Sequence, residues 1–152
     1  MTQALNTYVL LFLALIAGMV MPTQAALNNR LAGFVEAPIL SALISFAVGT
    51  VALLVYILAT GVPMHNLLHA RNAPSVLWMG GVLGAFFVTC TIFLVPRIGV
   101  AMTFSLIVAG QMFITLFIDH FGFMGAPEKA ISHFRVFGAA LIVFGVVLIR
   151  KF

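Results

Sequence analysis

The sequence predicts an all-α integral membrane protein, built as a bundle of five transmembrane helices. Hydrophobic residues make up 64% of the 152 residues and charged residues only 7%, and the mean hydropathy is +1.25. A soluble domain carries about a quarter charged residues, so this chain cannot cover a water-facing surface. Five apolar segments, each near the ~20 residues that cross a bilayer core, indicate the number of spans.

Short connections join the five segments, so no separate soluble domain is expected and residues 1–152 should form a single membrane domain. The formal net charge of +4 comes from basic residues scattered along the chain, which argues against nucleic-acid binding. The predicted spans are about 7–32, 38–61, 75–95, 98–120 and 134–150.

The first segment is strongly apolar up to Pro22 and more polar beyond it. Proline removes a backbone donor and can kink a helix, so the second half is expected to face a cavity. Gln24 and Asn28 lie on one face of that half, because they are one helical turn apart. Neutral amides avoid the cost of a buried charge, so we predict that this pair binds substrate. The alternative is that both amides hydrogen-bond neighbouring helices.

The second segment carries a stripe of small residues, Ser41, Ser45 and Gly49, at four-residue spacing. Such a stripe lets another helix approach closely, so packing is the expected role. Ser45 is also a candidate substrate contact on the cavity side. Glu36 precedes this helix, where the helix dipole favours a carboxylate, and it is a candidate for ion or proton coupling.

The third segment and the loop before it carry no chemistry that requires a cofactor. Gly80 and Gly84 form a small-residue pair that is typical of helix packing. His65 and His69 in the loop could share a metal ion, but no further ligand lies nearby, so no metal site is predicted. No catalytic cluster of Ser, His and Asp and no phosphate-binding loop is present, which argues against an enzyme and against an ATP-driven pump.

The fourth segment places Gln111, Thr115 and Asp119 on one stripe of an otherwise apolar helix. Gln111 is predicted either to bind substrate or to hold helices together, and as a ligand it would share one central cavity with Gln24 and Asn28. Asp119 is either a proton or cation site, or it pairs with His120 or Arg135 at the helix end.

The orientation of the five spans is weakly determined by charge. Three basic residues are expected on the N-terminal side of the membrane and four on the other: Arg71, Lys129 and Arg135 against Arg30, Arg97, Arg150 and Lys151. A bias this small fits a chain that inserts both ways and pairs as an antiparallel homodimer, and it equally fits one weakly fixed orientation. Glycines of the third or fifth segment would form the seam between two copies.

Three stretches carry a family resemblance: PTQAALNNRLAG, WMGGVLGAFF and, most specifically, VAGQMFITLFIDHFGFMG. They resemble the YdcZ family, a short five-span branch of the drug/metabolite transporter (DMT) superfamily. The resemblance implies an inner-membrane transporter whose five helices are half of a ten-helix DMT-type fold, working as a homodimer. Related small multidrug transporters carry a carboxylate in the first helix, where this chain has neutral Gln24 and Asn28.

The predicted function is therefore export of a small metabolite or drug-like solute by alternating access, with no cofactor and with the lipid bilayer as surroundings. The alternative is a non-transporting accessory or structural subunit of a larger membrane complex.

Overall fold

The computed structural model describes the backbone of residues 2–152 and the side chains of residues 6–152. Within that part of the chain the fold is all α, without a β-strand. The long helices are α1 (Thr2–Val35), α2 (Pro38–Thr60), α3 (Met79–Ile98), α4 (Val100–Phe121) and α5 (His133–Lys151). Three short 3-10 helices lie between them, at Met64–Asn72, Ser75–Trp78 and Phe123–Gly125.

Each of the five helices is long and apolar enough to cross a membrane, which confirms the all-α five-span fold. Two of the helix ends are fixed by glycine. Gly61 after α2 and Gly122 after α4 have φ of 70° and 62°, a left-handed conformation that glycine adopts without a Cβ clash. Their N–H groups donate to the carbonyls of Ile57 and Ile118, so the last turns are capped.

Pro22 lies in the interior of α1, and Pro96 lies in the last turn of α3. α1 continues through Pro22, and α3 continues past Pro96 to Ile98, three residues beyond the predicted end of that span. A proline in the last turn removes one hydrogen bond, and little helix remains beyond it to be disrupted. The next helix begins only after Gly99, which has a φ of 81°.

The fold divides into two compact units, one within Met1–Pro96 and one within Arg97–Phe152. In the first unit, α2 and α3 meet in a small apolar cluster of Ala42, Val88 and Ile92, against which Ala32 of α1 and Phe87 pack. Ile92 is only 1% exposed, so it forms the centre of this cluster. The cluster fixes the ends of α1 and α2 that are joined by the turn at Glu36.

The second unit is a hairpin of α4 and α5. Its buried positions include Ala109 on α4 and Ala139 on α5, and small residues at such positions let two helices approach closely. Ser132 caps the start of α5 by accepting a hydrogen bond from the N–H of Arg135, at 3.3 Å.

Candidate functional site

A groove in the first unit lies along α1 and α2 and holds three of the predicted substrate residues. One lobe has a volume of about 380 Å³ and the other about 240 Å³. Gln24 and Ser45 line both lobes, so the two lie next to each other. The first lobe is completed by Ile16, Met19, Val20, Thr23, Leu27 and Asn28, and the second by Phe46, Gly49, Thr50 and Leu53.

Asn28 is the least exposed polar residue of this groove, at 6%. Its backbone carbonyl accepts a hydrogen bond from the hydroxyl of Ser41, which is fully buried, at 2.6 Å. Its side-chain Nδ2, by contrast, is buried without any hydrogen-bond partner among residues 6–152. A buried donor left without a partner costs about 1–3 kcal/mol, so this amide is held at an energetic disadvantage.

Asn29, one residue further, has a different role. Its Nδ2 donates to the carbonyl of Ile92 on α3 at 3.0 Å, which ties α1 to α3. The sequence alone predicts no such role for Asn29, because two adjacent asparagines look identical in a sequence. The ~100° that separates neighbouring residues around a helix turns one amide toward α3 and the other toward the groove.

The remaining polar groups of the groove also divide into those with a hydrogen-bond partner and those without one. The hydroxyls of Thr23 and Thr50 donate to carbonyls one turn back in their own helices, those of Met19 and Phe46, at 3.0 and 2.8 Å. Those donors are therefore already used. Among residues 6–152, the side chains of Gln24 and Ser45 and the Nδ2 of Asn28 make no hydrogen bond.

The small-residue stripe of α2 serves packing at one end and the groove at the other. Ser41 is fully buried against α1, whereas Ser45 and Gly49 are partly exposed and line the groove. A Cβ added at Gly49 would meet no atom within 4 Å. The two helices therefore pack tightly near their joining turn and leave space further along.

Gln111 lies in the second unit, with its side chain exposed on α4. Its carbonyl accepts the hydroxyl of Thr115 at 2.8 Å, and among the described residues its amide makes no hydrogen bond. Within residues 6–152, then, the Gln111 side chain does not join two helices. A cavity shared with Gln24 and Asn28 stays a prediction, as does substrate binding at each of these residues.

Asp119 forms an ion pair with Arg135 across the α4–α5 corner, one of the two interfacial partners predicted for it. Arg135 also donates to the carbonyl of Lys129 at 3.1 Å, and the N–H of Lys129 donates to the carbonyl of Asp119 at 2.8 Å. His120 accepts the N–H of Ile131 through Nδ1, at 3.4 Å. Several bonds thus fold the connection back onto the end of α4.

Glu36, the second candidate for ion coupling, lies at the turn between α1 and α2, exposed and with a φ of 54°. Left-handed backbone is uncommon for a residue other than glycine. No group of three or more His, Cys, Asp or Glu side chains is close enough to hold a metal ion within the described part of the chain.

A groove of the second unit lies between α4 and α5 and measures about 530 Å³. Its walls are apolar throughout, formed by Phe113, Leu116, Phe117, Ile131, Val136, Ala139, Ala140 and Val143. Binding sites add a few placed polar groups to an apolar lining, and those groups orient the ligand. The α1–α2 groove has them, so it is the stronger candidate site.

Five helices long and apolar enough to cross a membrane define a multi-pass α-helical membrane protein. A family model described as "Putative inner membrane exporter, YdcZ" matches residues 9–148, and the chain belongs to this family. No curated protein and no solved structure matches the chain. The family assignment and the five helices make it a multi-pass protein of the inner membrane, and the family description indicates a transporter rather than an enzyme.

Proposed function

We propose that the protein is a secondary transporter that exports a small metabolite or drug-like solute, with the α1–α2 groove as its substrate contact. The observation that carries the proposal is the unpartnered Nδ2 of Asn28, a residue that is buried in the wall of the groove. Polar groups are expensive at membrane depth and tend to mark transport pathways. An inner-membrane exporter family gives the same class of function.

Transport would proceed by alternating access in an antiparallel homodimer, which has the geometry of the inverted repeats found in many transporters. The even distribution of basic residues, three against four, supports insertion in both orientations. Glycines on α3 and α5 support a seam between copies, since a Cβ at Gly80, Gly81, Gly138 or Gly145 would meet no described atom within 4 Å. Coupling to protons or cations would use Asp119 or Glu36.

Transport by the purified chain alone is the decisive test. Metabolite profiles of deletion and overexpression strains would nominate solutes, and each would then be loaded into liposomes that contain only this protein. We expect counterflow that Asn28→Leu abolishes and that Asn29→Gln, which keeps an amide at the α3 contact, retains. Absence of flux for every nominated solute, with the protein folded, would favour the accessory-subunit alternative.

The antiparallel arrangement is tested through orientation. Two or three lysines added at one terminus should bias insertion and depress transport, because basic residues are retained on the cytoplasmic side. Co-expression of a variant with the opposite bias should restore transport. Full activity of a single fixed orientation would overturn the antiparallel dimer and leave the transporter proposal standing.

A further inference from the structure

The α1–α2 groove carries no charge. None of the residues that line its two lobes is Asp, Glu, Lys, Arg or His, as far as the described chain extends. An ion entering it would lose hydration without gaining an opposite charge, which is strongly unfavourable in an apolar setting. The groove therefore selects against charged solutes.

The free polar groups of the groove set a second requirement. The Nδ2 of Asn28 is a buried donor without an acceptor, so a ligand that reaches it through a turn of the side chain must bring a carbonyl, ether or hydroxyl oxygen. Gln24 and Ser45 can each donate or accept, and they lie where the two lobes meet. A ligand seated against Asn28 is thus within the part of the groove where polar contacts concentrate.

The walls set a third requirement. Ile16, Met19, Val20 and Leu27 line the lobe next to Asn28, and Phe46 and Leu53 line the other. With volumes of about 380 and 240 Å³, the lobes fit a small molecule with an apolar body.

We propose that the groove binds uncharged, predominantly apolar small molecules through a hydrogen-bond acceptor that receives the Asn28 amide. This inference rests on the proposed transport function and names its substrate class. The acceptor could belong to a free solute or to the ester carbonyl of a membrane lipid, since both offer the same chemistry to Nδ2.

Adjacent asparagines provide the matched control for Asn28. Because the Nδ2 of Asn28 has no partner, Asn28→Leu should leave the midpoint of thermal unfolding unchanged or raise it. Asn29→Leu removes the bond to Ile92 and should lower that midpoint. An equal loss of stability in both variants would show that Asn28 is structural and would overturn the proposal.

Binding is tested with probes that share one apolar body, using the full chain in lipid nanodiscs and protein-free nanodiscs to subtract partitioning. Phenylacetamide and 2-phenylethanol are uncharged acceptors, ethylbenzene has no acceptor, and phenylacetate and 2-phenylethylammonium are charged. We expect phenylacetamide to bind about tenfold more tightly than ethylbenzene, the effect of one buried hydrogen bond, and Asn28→Leu to remove the difference. Equal binding of the charged probes, or a preference that survives Asn28→Leu, would overturn the proposal.

Nanodiscs of ester-linked and ether-linked lipids distinguish the two sources of the acceptor. Weaker phenylacetamide binding in ester-linked lipid would indicate that lipid carbonyls compete for Asn28, and equal binding would assign the site to free solutes. Both outcomes support an acceptor-binding groove. Selective binding without any transport would overturn the transporter proposal and leave the proposed ligand class standing. Transport of charged solutes that does not depend on Asn28 would overturn the proposed substrate class and leave the transporter proposal standing.

Discussion

Asp119, in the last turn of α4, forms an ion pair with Arg135, in the first turn of α5. Both side chains are about one third exposed, at 29% and 32%. Arg135 also donates to the Lys129 carbonyl. The carboxylate thus takes part in closing the corner between α4 and α5.

Asp119→Asn keeps the shape of the side chain and removes its charge. We expect a destabilisation of about 0.5–1 kcal/mol, the scale of a partly exposed ion pair, and an unchanged pH profile of transport would leave Glu36 as the candidate for coupling. Thermal unfolding in detergent and a pH series of liposome transport measure the two effects separately. Loss of pH dependence with substrate binding intact would instead assign Asp119 the coupling role.

Gly122 should be the least replaceable residue of this corner. Its φ is 62°, and a Cβ there would lie 2.6 Å from the Cγ of Glu128. Gly122→Ala is expected to destabilise the α4–α5 hairpin by about 1–2 kcal/mol, because left-handed backbone disfavours a Cβ. Gly125→Ala is the control, since Gly125 has a φ of 80° with no atom within 4 Å of its Cβ position. A greater loss at Gly125 than at Gly122 would contradict the contact with Glu128.

Ser41 and Ser45 lie on one stripe of α2 and should respond differently to alanine. Ser41→Ala removes the buried hydrogen bond to the Asn28 carbonyl and should cost about 0.5–1 kcal/mol of stability. Ser45→Ala should change stability by less than about 0.5 kcal/mol and reduce transport, because Ser45 lines the groove. Unfolding midpoints and initial transport rates of both variants measure the two effects. A loss of stability in Ser45→Ala but not in Ser41→Ala would contradict the packing role of Ser41 and the groove role of Ser45.

Gln111→Leu should abolish or redirect transport while the protein still inserts and assembles. Leucine suits a membrane helix, and within the described chain no helix depends on the Gln111 amide. Liposome transport and the oligomeric state in detergent are the two measurements. Dissociation of the oligomer with unaltered insertion would mean that the amide joins two copies of the chain.

The number of transmembrane helices could be predicted because bilayer thickness sets the length of each apolar run, whereas the ends of α1 and α3 differ from the predicted bounds by three to five residues. The prediction of 38–61 for the second span compares with Pro38–Thr60, where a proline and a glycine mark both ends. The structure of the connection before α3 is harder to predict, because 3-10 helices such as Met64–Asn72 show no apolar periodicity in the sequence. The end of α3 was missed because Pro96 does not stop a helix that is already ending.

The candidate site could be predicted only in part from the sequence. Helical spacing placed Gln24 and Asn28 on one face, and both do line the groove. What spacing could not give is which polar groups are already satisfied. Asn28 and Asn29 are chemically identical neighbours, and only their surroundings distinguish a free donor from a bond to Ile92.

Pro22 divides α1 into two parts with different mechanical properties. Every described side chain from Asn6 to Val20 is exposed, whereas the buried positions of this helix, Ala25 and Asn28, follow the proline. Because proline lacks the N–H that would hold the preceding turn, α1 can bend there at low cost. Such a bend would move the part of the groove wall before Pro22, while the part that carries Asn28 stays packed against α2 and α3. The width of the groove would then depend on the bend angle of α1 at Pro22.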